Sequence, residues 1–598
     1  MRGQMVNTLL GAGKAAPAGT PAKSRRWVVV CAFVVVFGLL FLAYLALSRT
    51  YPENSDEANI LLMADDMLHG NLLLHNWVTS DVPFITTELP QIAVLVGIFG
   101  LHLNTAHIAA AMTYTLVVWL GVLLARGPRR DVSGKTAFAR MAVAGGLMLG
   151  PQTGVGVFIL LLSVGHIGTA VPIMVTWLVV DRMGEKRWVP AVVAVLLAWA
   201  LVADPLVKVV AIWPLMLVSL IRLGIYMFRG SGPYLKRVTD RWFDLAMLAA
   251  AALGWLLASL ISSFISTRGG YKQNPVPWAL DPSKTWWMHA RVAIDGLLSM
   301  FGADFIGQHG WNMVLAILHL IGVSLAVWGL LAALRRFFSW PGDFVSQILV
   351  VAIVANLVAY IPSTMAVATD LNAREFAVVL PFAAVVAGRQ LGPKLADGLF
   401  SLNDARRLSR GPRVVLLLPV LCVALVASLW TLVSGATTSP APTPYAGLVA
   451  WLQSHHLHYG LGGYWQASVI TVESGGDITI RAITGASVDY QGSVTTCTIE
   501  PYKWEIKTTW YDASKYSANF LLMDEDPARS LTDPLGKFNP PGGALLALGH
   551  AHRQWVGYYF GDAARIPYPP YYVTYALRVY NYNLLTKIPV ILPQSACN

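Results

Sequence analysis

The sequence predicts a polytopic α-helical membrane protein that ends in a smaller α/β or β-rich domain outside the membrane. Of its 598 residues, 56% are hydrophobic and only 13% are charged, against about 25% charged residues in a typical soluble domain. Apolar runs long enough to cross a bilayer recur along the chain. After position 445, β-branched and aromatic residues alternate between Gly- and Ser-rich turns, which predicts strands.

The N-terminal part predicts an uncleaved first helix behind a short tail. Residues 1–25 are small, polar and basic, so we expect a disordered cytoplasmic tail. The apolar run that follows, over 26–48, is longer than the hydrophobic core of a signal peptide. It is long enough to span the membrane, with Arg25 and Arg26 on the inner side.

The positive charges predict the orientation. The net charge is +11, but Lys and Arg occur in short clusters between apolar runs, as in cytoplasmic loops. This distribution argues against nucleic-acid binding. The apolar stretch 89–101 is short for a span. We expect it to lie along the outer surface, which makes 49–104 one large outer loop and puts every basic cluster inside.

With this orientation the chain divides into a membrane domain (26–435), a linker (436–444) and an extracytoplasmic domain (445–598). After the first helix, the spans of the expected total of about 11 helices lie near 105–126, 138–162, 167–181, 188–203, 206–222, 243–266, 311–334, 344–363, 375–391 and 414–435. Cys497 and Cys597 lie in the last domain, where a disulfide and two free thiols both remain open.

The first outer loop contains the acidic stretch NSDEANILLMADDMLHGN. Asn54 and Glu57 have the spacing of a capping box, and an apolar stripe with helical spacing follows up to Gly70. We therefore expect an amphipathic helix over about 55–69. Asp65 and Asp66 are expected to face solvent. Asp56 shares the apolar face, and an ionisable group there is a functional-site hypothesis.

This arrangement resembles the bacterial GT-C superfamily of membrane glycosyltransferases, which includes the protein O-mannosyltransferase and lipid A aminoarabinose transferase groups. SDEA opens one interfacial helix, and a second, over 82–101, follows a Pro-containing turn. The resemblance covers the topology of 26–435 and, in motif detail, mainly 53–126. It implies a GT-C-like fold and sugar transfer, with inversion, from a polyprenyl-phosphate donor to a glycan, lipid or protein acceptor outside the plasma membrane.

The resemblance also implies site residues. Asp56, with Glu57 beside it, matches the family's catalytic base or metal-binding carboxylate, so a divalent cation such as Mg or Mn is an expected cofactor. Related enzymes often have a Lys-Pro-Pro turn before the second interfacial helix. This chain has Thr86-Thr87-Glu88-Leu89-Pro90 instead, which brings Glu88 forward as another catalytic carboxylate.

Further candidates lie at the expected outer ends of the spans and in the last domain. His166 is either a structural histidine or a contact to phosphate or acceptor. Arg374 is either a contact to the lipid phosphate or an interfacial anchor, and Arg268 lies in a Gly-rich loop able to close over a donor. Tyr464 and Trp465 are candidates for stacking on sugar rings, with core packing as the alternative. Outside this set, Asp204 is expected to pair with Lys208, and Asp81 to be a turn residue.

The alternative function is a transporter or flippase of lipid-linked saccharides. Such a protein is expected to carry ionisable residues near the middle of its spans, or broken helices with internal symmetry. Here the acidic residues concentrate at the expected outer rim instead. The sequence therefore favours an enzyme that acts at the membrane surface.

Overall fold

A computed structural model of the protein gives the architecture. It describes residues 22–128, 132–162, 165–229, 233, 237, 239–274, 278–339, 342–366, 370–401, 412–443, 445–484, 487–488, 494–496, 498–524, 564–566 and 575–591. Cys497 and Cys597 lie outside the described residues, so the disulfide remains a question of sequence alone.

Helices dominate the chain up to residue 436. In chain order they are α1 Ala22–Ser48, α2 Ser55–Leu68, α3 Glu88–Phe99, α4 Leu103–Arg126, α5 Gly134–Met148, α6 Val155–Leu161, α7 Ala170–Met183, α8 Val189–Ala203, α9 Trp213–Arg229, α10 Trp242–Thr267, α11 Trp286–Met300, α12 Gly310–Arg335, α13 Phe344–Tyr360, α14 Val379–Ser401 and α15 Pro412–Ala436. A π-helical turn, Lys208–Ile212, leads into α9, and a 3-10 segment, Asp370–Phe376, precedes α14.

Seven helices in the described part of the chain are long and apolar enough to cross a membrane. Three further apolar helices, α3, α8 and α13, are shorter, and the expected count of about 11 spans is not confirmed. Large apolar side chains project from the outer faces of these helices, for example Leu256, Leu260 and Val426. Such faces suit contact with lipid tails rather than water.

The structure departs from the expected spans in two places. The stretch 138–162 is two helices, α5 and α6, because Gly150 and Pro151 interrupt the helix between them. The segment between α10 and α12 contains the helix α11, which was not predicted from the sequence. The first outer loop contains two helices, as predicted: α2 begins at Ser55 with the capping box of Asn54 and Glu57. The second, α3, is shorter than the predicted 82–101, because it begins at Glu88 and ends at Phe99, before Gly100 with a φ of +85°.

The C-terminal domain combines helices with a mixed sheet. Its helices are α16 Ala446–Ser454 and α17 Tyr464–Glu473. Its strands are β3 Tyr459–Gly462, β4 Thr479–Thr484, β5 Ser487–Val488, β6 Val494–Thr496, β7 Thr498–Pro501, β8 Ile506–Lys507, β9 Phe520–Asp524, β10 Ala564–Ile566, β11 Tyr575–Val579 and β12 Val590–Ile591. Seven of them form one sheet in the order β10-β11-β9-β3-β4-β7-β12, in which β3 pairs in parallel with β4 and β9.

A small sheet joins this domain to the membrane domain. Strand β1, Trp77–Thr79 of the first outer loop, pairs in parallel with β2, Lys272–Gln273, and antiparallel with β8. Beside it, the Lys507 ammonium donates to Asp66 Oδ1 over 2.7 Å, and the Trp77 indole donates to Asp66 Oδ2 over 2.7 Å. The expectation that Asp66 faces solvent is therefore wrong, because this carboxylate binds the C-terminal domain.

Helix α17 packs directly on α2. The Ser55 hydroxyl donates to the carbonyl oxygen of Tyr464, and the Ser468 hydroxyl donates to Asn59 Oδ1, both over 2.6 Å. All four residues are buried. The end of the helical bundle that faces the C-terminal domain, called the rim below, is thus closed by that domain on one side.

The far end of the bundle has its own buried ion pair. The Arg389 guanidinium of α14 donates to Asp181 of α7 over 2.6 Å and to Asp343, which precedes α13, over 2.9 Å. It also donates to the carbonyl oxygen of Leu124 at the end of α4. Because one buried cation satisfies groups from three helices, it fixes how α14 packs in the bundle.

Candidate active site at the rim

Asp56 lies in the first turn of α2 and faces the protein interior, as the helical spacing predicted. Its side chain is only 9% exposed, and a buried carboxylate needs partners. The Arg374 guanidinium donates to Oδ2 over 3.2 Å, and the Tyr464 hydroxyl donates to Oδ1 over 2.7 Å. Each oxygen accepts one of these bonds and keeps a further lone pair for a substrate hydroxyl.

Tyr464 connects Asp56 to a second carboxyl group. The Tyr464 oxygen lies 2.8 Å from Oε2 of Glu505, a buried residue between β7 and β8. Burial, and then the charge of Asp56, raise the pKa of Glu505. Tyr464 is only 3% exposed, and its ring packs against Trp465 and Tyr502. This agrees with the alternative of core packing rather than stacking on a sugar.

His166 is the centre of a second group of charges. Its Nδ1 lies 2.7 Å from Asp204 Oδ2, and its Nε2 lies 3.0 Å from Glu375 Oε2. Burial lowers the pKa of His166, but the two carboxylates outweigh it and raise that pKa well above its usual value. An imidazolium donates from both nitrogens, so His166 is a buried cation between two anions.

Asp204 is held in place for this pairing. Its carboxylate accepts from the Thr169 hydroxyl over 2.5 Å and from the backbone N–H of Leu206 over 2.8 Å. Although burial raises the pKa of Asp204, His166 and these donors lower it overall. The expected pair of Asp204 with Lys208 is wrong: the Lys208 ammonium lies over the Trp255 ring, 5.8 Å from its centre.

The 3-10 segment before α14 joins the two groups of charges. Its consecutive residues Arg374 and Glu375 reach Asp56 and His166, respectively. The set Asp56, Tyr464, Glu505, Arg374, Glu375, His166 and Asp204 is called the rim cluster below. Asp81 belongs to its surroundings, since burial and then the charge of Glu375 raise the pKa of Asp81 to about 6. Asp81 itself lies in a bend of the chain, in agreement with the predicted turn residue.

Glu88, at the start of α3, packs against Gly168, two residues after His166. The carboxyl group of Glu88 fills the space where a side chain on residue 168 would begin. The Thr87 hydroxyl donates to one Glu88 oxygen, whereas Oε1 has no hydrogen-bond partner among the described residues. Burial raises the pKa of Glu88 to about 7, so this group exchanges its proton near neutral pH.

An apolar groove begins at Glu88. It has a volume of about 280 Å³ and runs between α3, α4, α7 and α8. Gln91, Thr113, Val171, Val175 and Leu196 are among the residues that line it. A groove with a carboxyl group at one end and apolar walls along helices suits an amphipathic ligand whose tail lies among the spans.

The remaining predicted site residues lie apart from this chemistry or support it. Glu57 forms the capping box, with Oε2 accepting from the Asn54 N–H over 2.9 Å. Burial, followed by the charges of Glu53 and Asp56, raises the pKa of Glu57. Arg268 is exposed and lies 5.3 Å from the centre of the Phe264 ring, and no described contact joins it to the rim cluster. Trp465 is partly buried against Tyr464.

The donor set does not fit a divalent cation at Asp56 and Glu57. In the described part of the chain, no three His, Cys, Asp or Glu side chains are grouped to hold a metal ion. Asp56 has the Arg374 guanidinium on one oxygen and a phenol on the other, and Glu57 caps its own helix. The positive charge at this carboxylate is that of an arginine.

Glu505, Glu375 and Asp204 belong to the site but were not predicted from the sequence to be members of it. Glu505 has one signal, a backbone φ of +51° at a non-glycine residue, which only the structure displays. Glu375 was next to a candidate, but its orientation toward His166 depends on the 3-10 turn. Asp204 had a plausible local partner in Lys208, four residues away.

Comparison with known proteins gives similarity to solved structures only. No family model matches the sequence, and no curated protein matches it. The chain is similar to ArnT from Cupriavidus metallidurans in the apo state, with 14% identity and a TM-score of 0.45 over 86% of this chain and 95% of that chain. It is also similar to the same protein bound to undecaprenyl phosphate, with 13% identity and a TM-score of 0.48 over 93% and 98% of the two chains.

Proposed function

We propose that the protein is a membrane glycosyltransferase that moves a sugar from a polyprenyl-phosphate donor to an acceptor hydroxyl, with Asp56 as the general base. The carrying observation is the geometry of Asp56. It is a buried carboxylate at the membrane rim, fixed by Arg374 and Tyr464, with a free lone pair on each oxygen. The site faces the C-terminal domain, which we assign to the outside of the plasma membrane, with the N-terminus in the cytoplasm.

In the proposed reaction, Asp56 takes the proton of the acceptor hydroxyl. The acceptor oxygen then bonds to the anomeric carbon, and the bond from that carbon to the donor phosphate breaks. The phosphate leaves with the electron pair of the broken bond, and the configuration at the anomeric carbon inverts. A carboxylate within hydrogen-bond reach of the acceptor suits this role and typically contributes ~10²–10⁴-fold to the rate.

Arg374 is the group placed to receive the charge that develops on the phosphate. One of its nitrogens binds Asp56, while the side chain remains 29% exposed. A guanidinium has five N–H donors, so donors remain for a phosphate oxygen in front of Asp56. Fixed positive charge in a partly dry site stabilises a leaving anion more than water does.

The groove at Glu88 offers room for the donor's isoprenoid chain. Of the helices around it, α4 is long and apolar enough to cross a bilayer, and α3 and α8 are shorter apolar helices. Glu88 and Gly168 are among the residues that line it. Both nitrogens of His166 already contact carboxylates, so we assign His166 to ordering Glu375 and Asp204 rather than to binding the phosphate directly.

The test is carrier release by the purified full-length protein with a panel of polyprenyl-phosphate sugars. We expect Asp56→Asn to lower turnover by roughly 10²–10⁴-fold. Asp65→Asn, which changes an exposed carboxylate of the same helix, is expected to keep wild-type turnover. Equal turnover in the wild type and Asp56→Asn would refute the assignment of the base. Failure of the wild-type protein to bind any carrier of the panel would refute the proposal that it is a glycosyltransferase.

A further inference from the structure

The C-terminal domain places a strained, buried acid in the rim cluster. Glu505 is only 2% exposed, and its φ of +51° lies in the left-handed region. A non-glycine residue is uncommon in this region and persists where the surroundings fix it. Here the surroundings are Tyr464 and Ser80, which both hydrogen-bond to the carboxyl group.

The number of hydrogen atoms available around Tyr464 determines the protonation state of Glu505. The Tyr464 hydroxyl lies within hydrogen-bond distance of two carboxyl groups, Asp56 at 2.7 Å and Glu505 at 2.8 Å. A phenol has one hydrogen to donate. Both contacts are hydrogen bonds only when one carboxyl group brings its own proton. Asp56 is the one that contacts a guanidinium, so the proton belongs on Glu505.

The resulting hydrogen bonds all run toward Asp56. The Glu505 acid donates to the Tyr464 oxygen, Tyr464 donates to Asp56 Oδ1, and Arg374 donates to Asp56 Oδ2. The raised pKa of Glu505 agrees with this order. The carboxylate of Asp56 is thereby held from two sides, by one group of the membrane domain and one of the C-terminal domain.

We propose that Tyr464 and Glu505 are positioning residues through which the docked C-terminal domain orients the catalytic carboxylate of Asp56. This proposal rests on the proposed function, because it assigns the orientation of the base named there. Neither residue is assigned a contact with the substrate. Of the two hydrogen bonds described for the Asp56 carboxylate, only the one from Arg374 comes from the membrane domain.

Tyr464→Phe is the first test, since it removes the hydroxyl and keeps the buried ring. We expect kcat for carrier release to fall by about 10–100-fold, the size of effect that follows from a misplaced catalytic group, with little change in KM for the donor. Tyr459→Phe is the matched control: it removes another hydroxyl of the same domain, which donates to the carbonyl oxygen of Trp510 over 2.8 Å. Its kcat is expected to stay at the wild-type value.

Glu505→Gln and Glu505→Ala are the second pair. The glutamine amide donates to Tyr464 as the acid does, so we expect Glu505→Gln to keep most of kcat and Glu505→Ala to lose about as much as Tyr464→Phe. A loss in Glu505→Gln as large as that of Asp56→Asn would overturn the proposal, because Glu505 would then be doing the chemistry itself.

Melting temperatures and the Asp56→Asn variant make the outcomes distinct. If Tyr464→Phe lowers the melting temperature but not kcat, Tyr464 is structural and the proposal fails while the proposed function stands. If Asp56→Asn turns over like the wild type, the proposed function fails, and the positioning role with it. If Asp56→Asn is inactive and Tyr464→Phe is slow at unchanged KM, both stand.

Discussion

Buried carboxyl groups of the rim differ in what balances their charge. Asp56 forms an ion pair with Arg374, and Asp204 forms one with His166. Glu88 has a hydroxyl from Thr87 on one oxygen and no described hydrogen bond on the other. A buried carboxylate without a cation favours its neutral form, which is why Glu88 differs from the other two.

The predicted consequence is a pH-dependent gain of stability in Glu88→Gln. The folded protein raises the pKa of Glu88 from 4.5 to about 7, so the folded state binds more protons than the unfolded state between these values. Stability therefore falls as pH rises through this window. At about 1.4 kcal/mol per pH unit, the loss is on the order of 3 kcal/mol.

Glutamine does not ionise, so the variant is expected to gain melting temperature relative to the wild type from about pH 4.5 upward and to reach a plateau above about pH 7. Melting curves in one detergent across this range measure the effect. Asp65→Asn serves as a control on an exposed carboxylate. A difference between Glu88→Gln and the wild type that does not change with pH would contradict the prediction.

Among the elements, the turn before α7 controls the distance between His166 and Glu88. Gly168 has no side chain, and the Glu88 carboxyl group occupies the place of one. Gly165, in the same turn, has no atom closer than 3.9 Å to the position of a Cβ. A methyl group added at Gly168 would therefore clash with Glu88, whereas one added at Gly165 would fit.

Gly168→Ala is expected to push Glu88 away from His166. The expected loss is about 1–3 kcal/mol of stability, as for overpacked interiors, together with reduced carrier release. Gly165→Ala is expected to leave both unchanged. Melting temperature and turnover of the two variants check this, and equal behaviour of the pair would show that the close approach to Glu88 has no consequence.

For the whole molecule, docking of the C-terminal domain depends on polar contacts as well as on the core. Asp66 illustrates this: it accepts from Lys507, Trp77 and Asn71. Burial raises the pKa of Asp66, but these donors lower it overall. Its contribution to stability is thus present above its usual pKa of 3.8 and is lost as pH falls below that value, through the lowered pKa of the folded state.

A double-mutant cycle on Asp66→Ala and Lys507→Ala is expected to show a coupling of roughly 0.5–1 kcal/mol, since both side chains are about one-fifth exposed. Asp66→Ala alone is expected to be the more destabilising change, because it also leaves the Trp77 indole without its acceptor. Unfolding free energies from denaturant titration measure both. Strict additivity of the two variants would show that the pair does not couple the domains.

The features that could be predicted from the sequence are those that depend on residues close together in the chain. The capping box, the apolar stripe of α2 and the inward position of Asp56 all follow from spacing within one helix. The rim cluster does not: Tyr464 and Asp56 are 408 positions apart, and Arg374 and Asp56 are 318 apart. No local pattern distinguishes Glu505 from a surface glutamate, because its burial is decided by how the C-terminal domain docks.

The adjacency of Arg374 and Glu375 has a consequence for how the two halves of the rim cluster respond to a ligand. One peptide unit separates the residue that binds Asp56 from the residue that binds His166. An anion that binds Arg374 is therefore expected to change the position of the turn that also supports Glu375. Thermodynamic linkage is reciprocal, so the proton affinity of His166 and the affinity of the protein for that anion are expected to depend on each other.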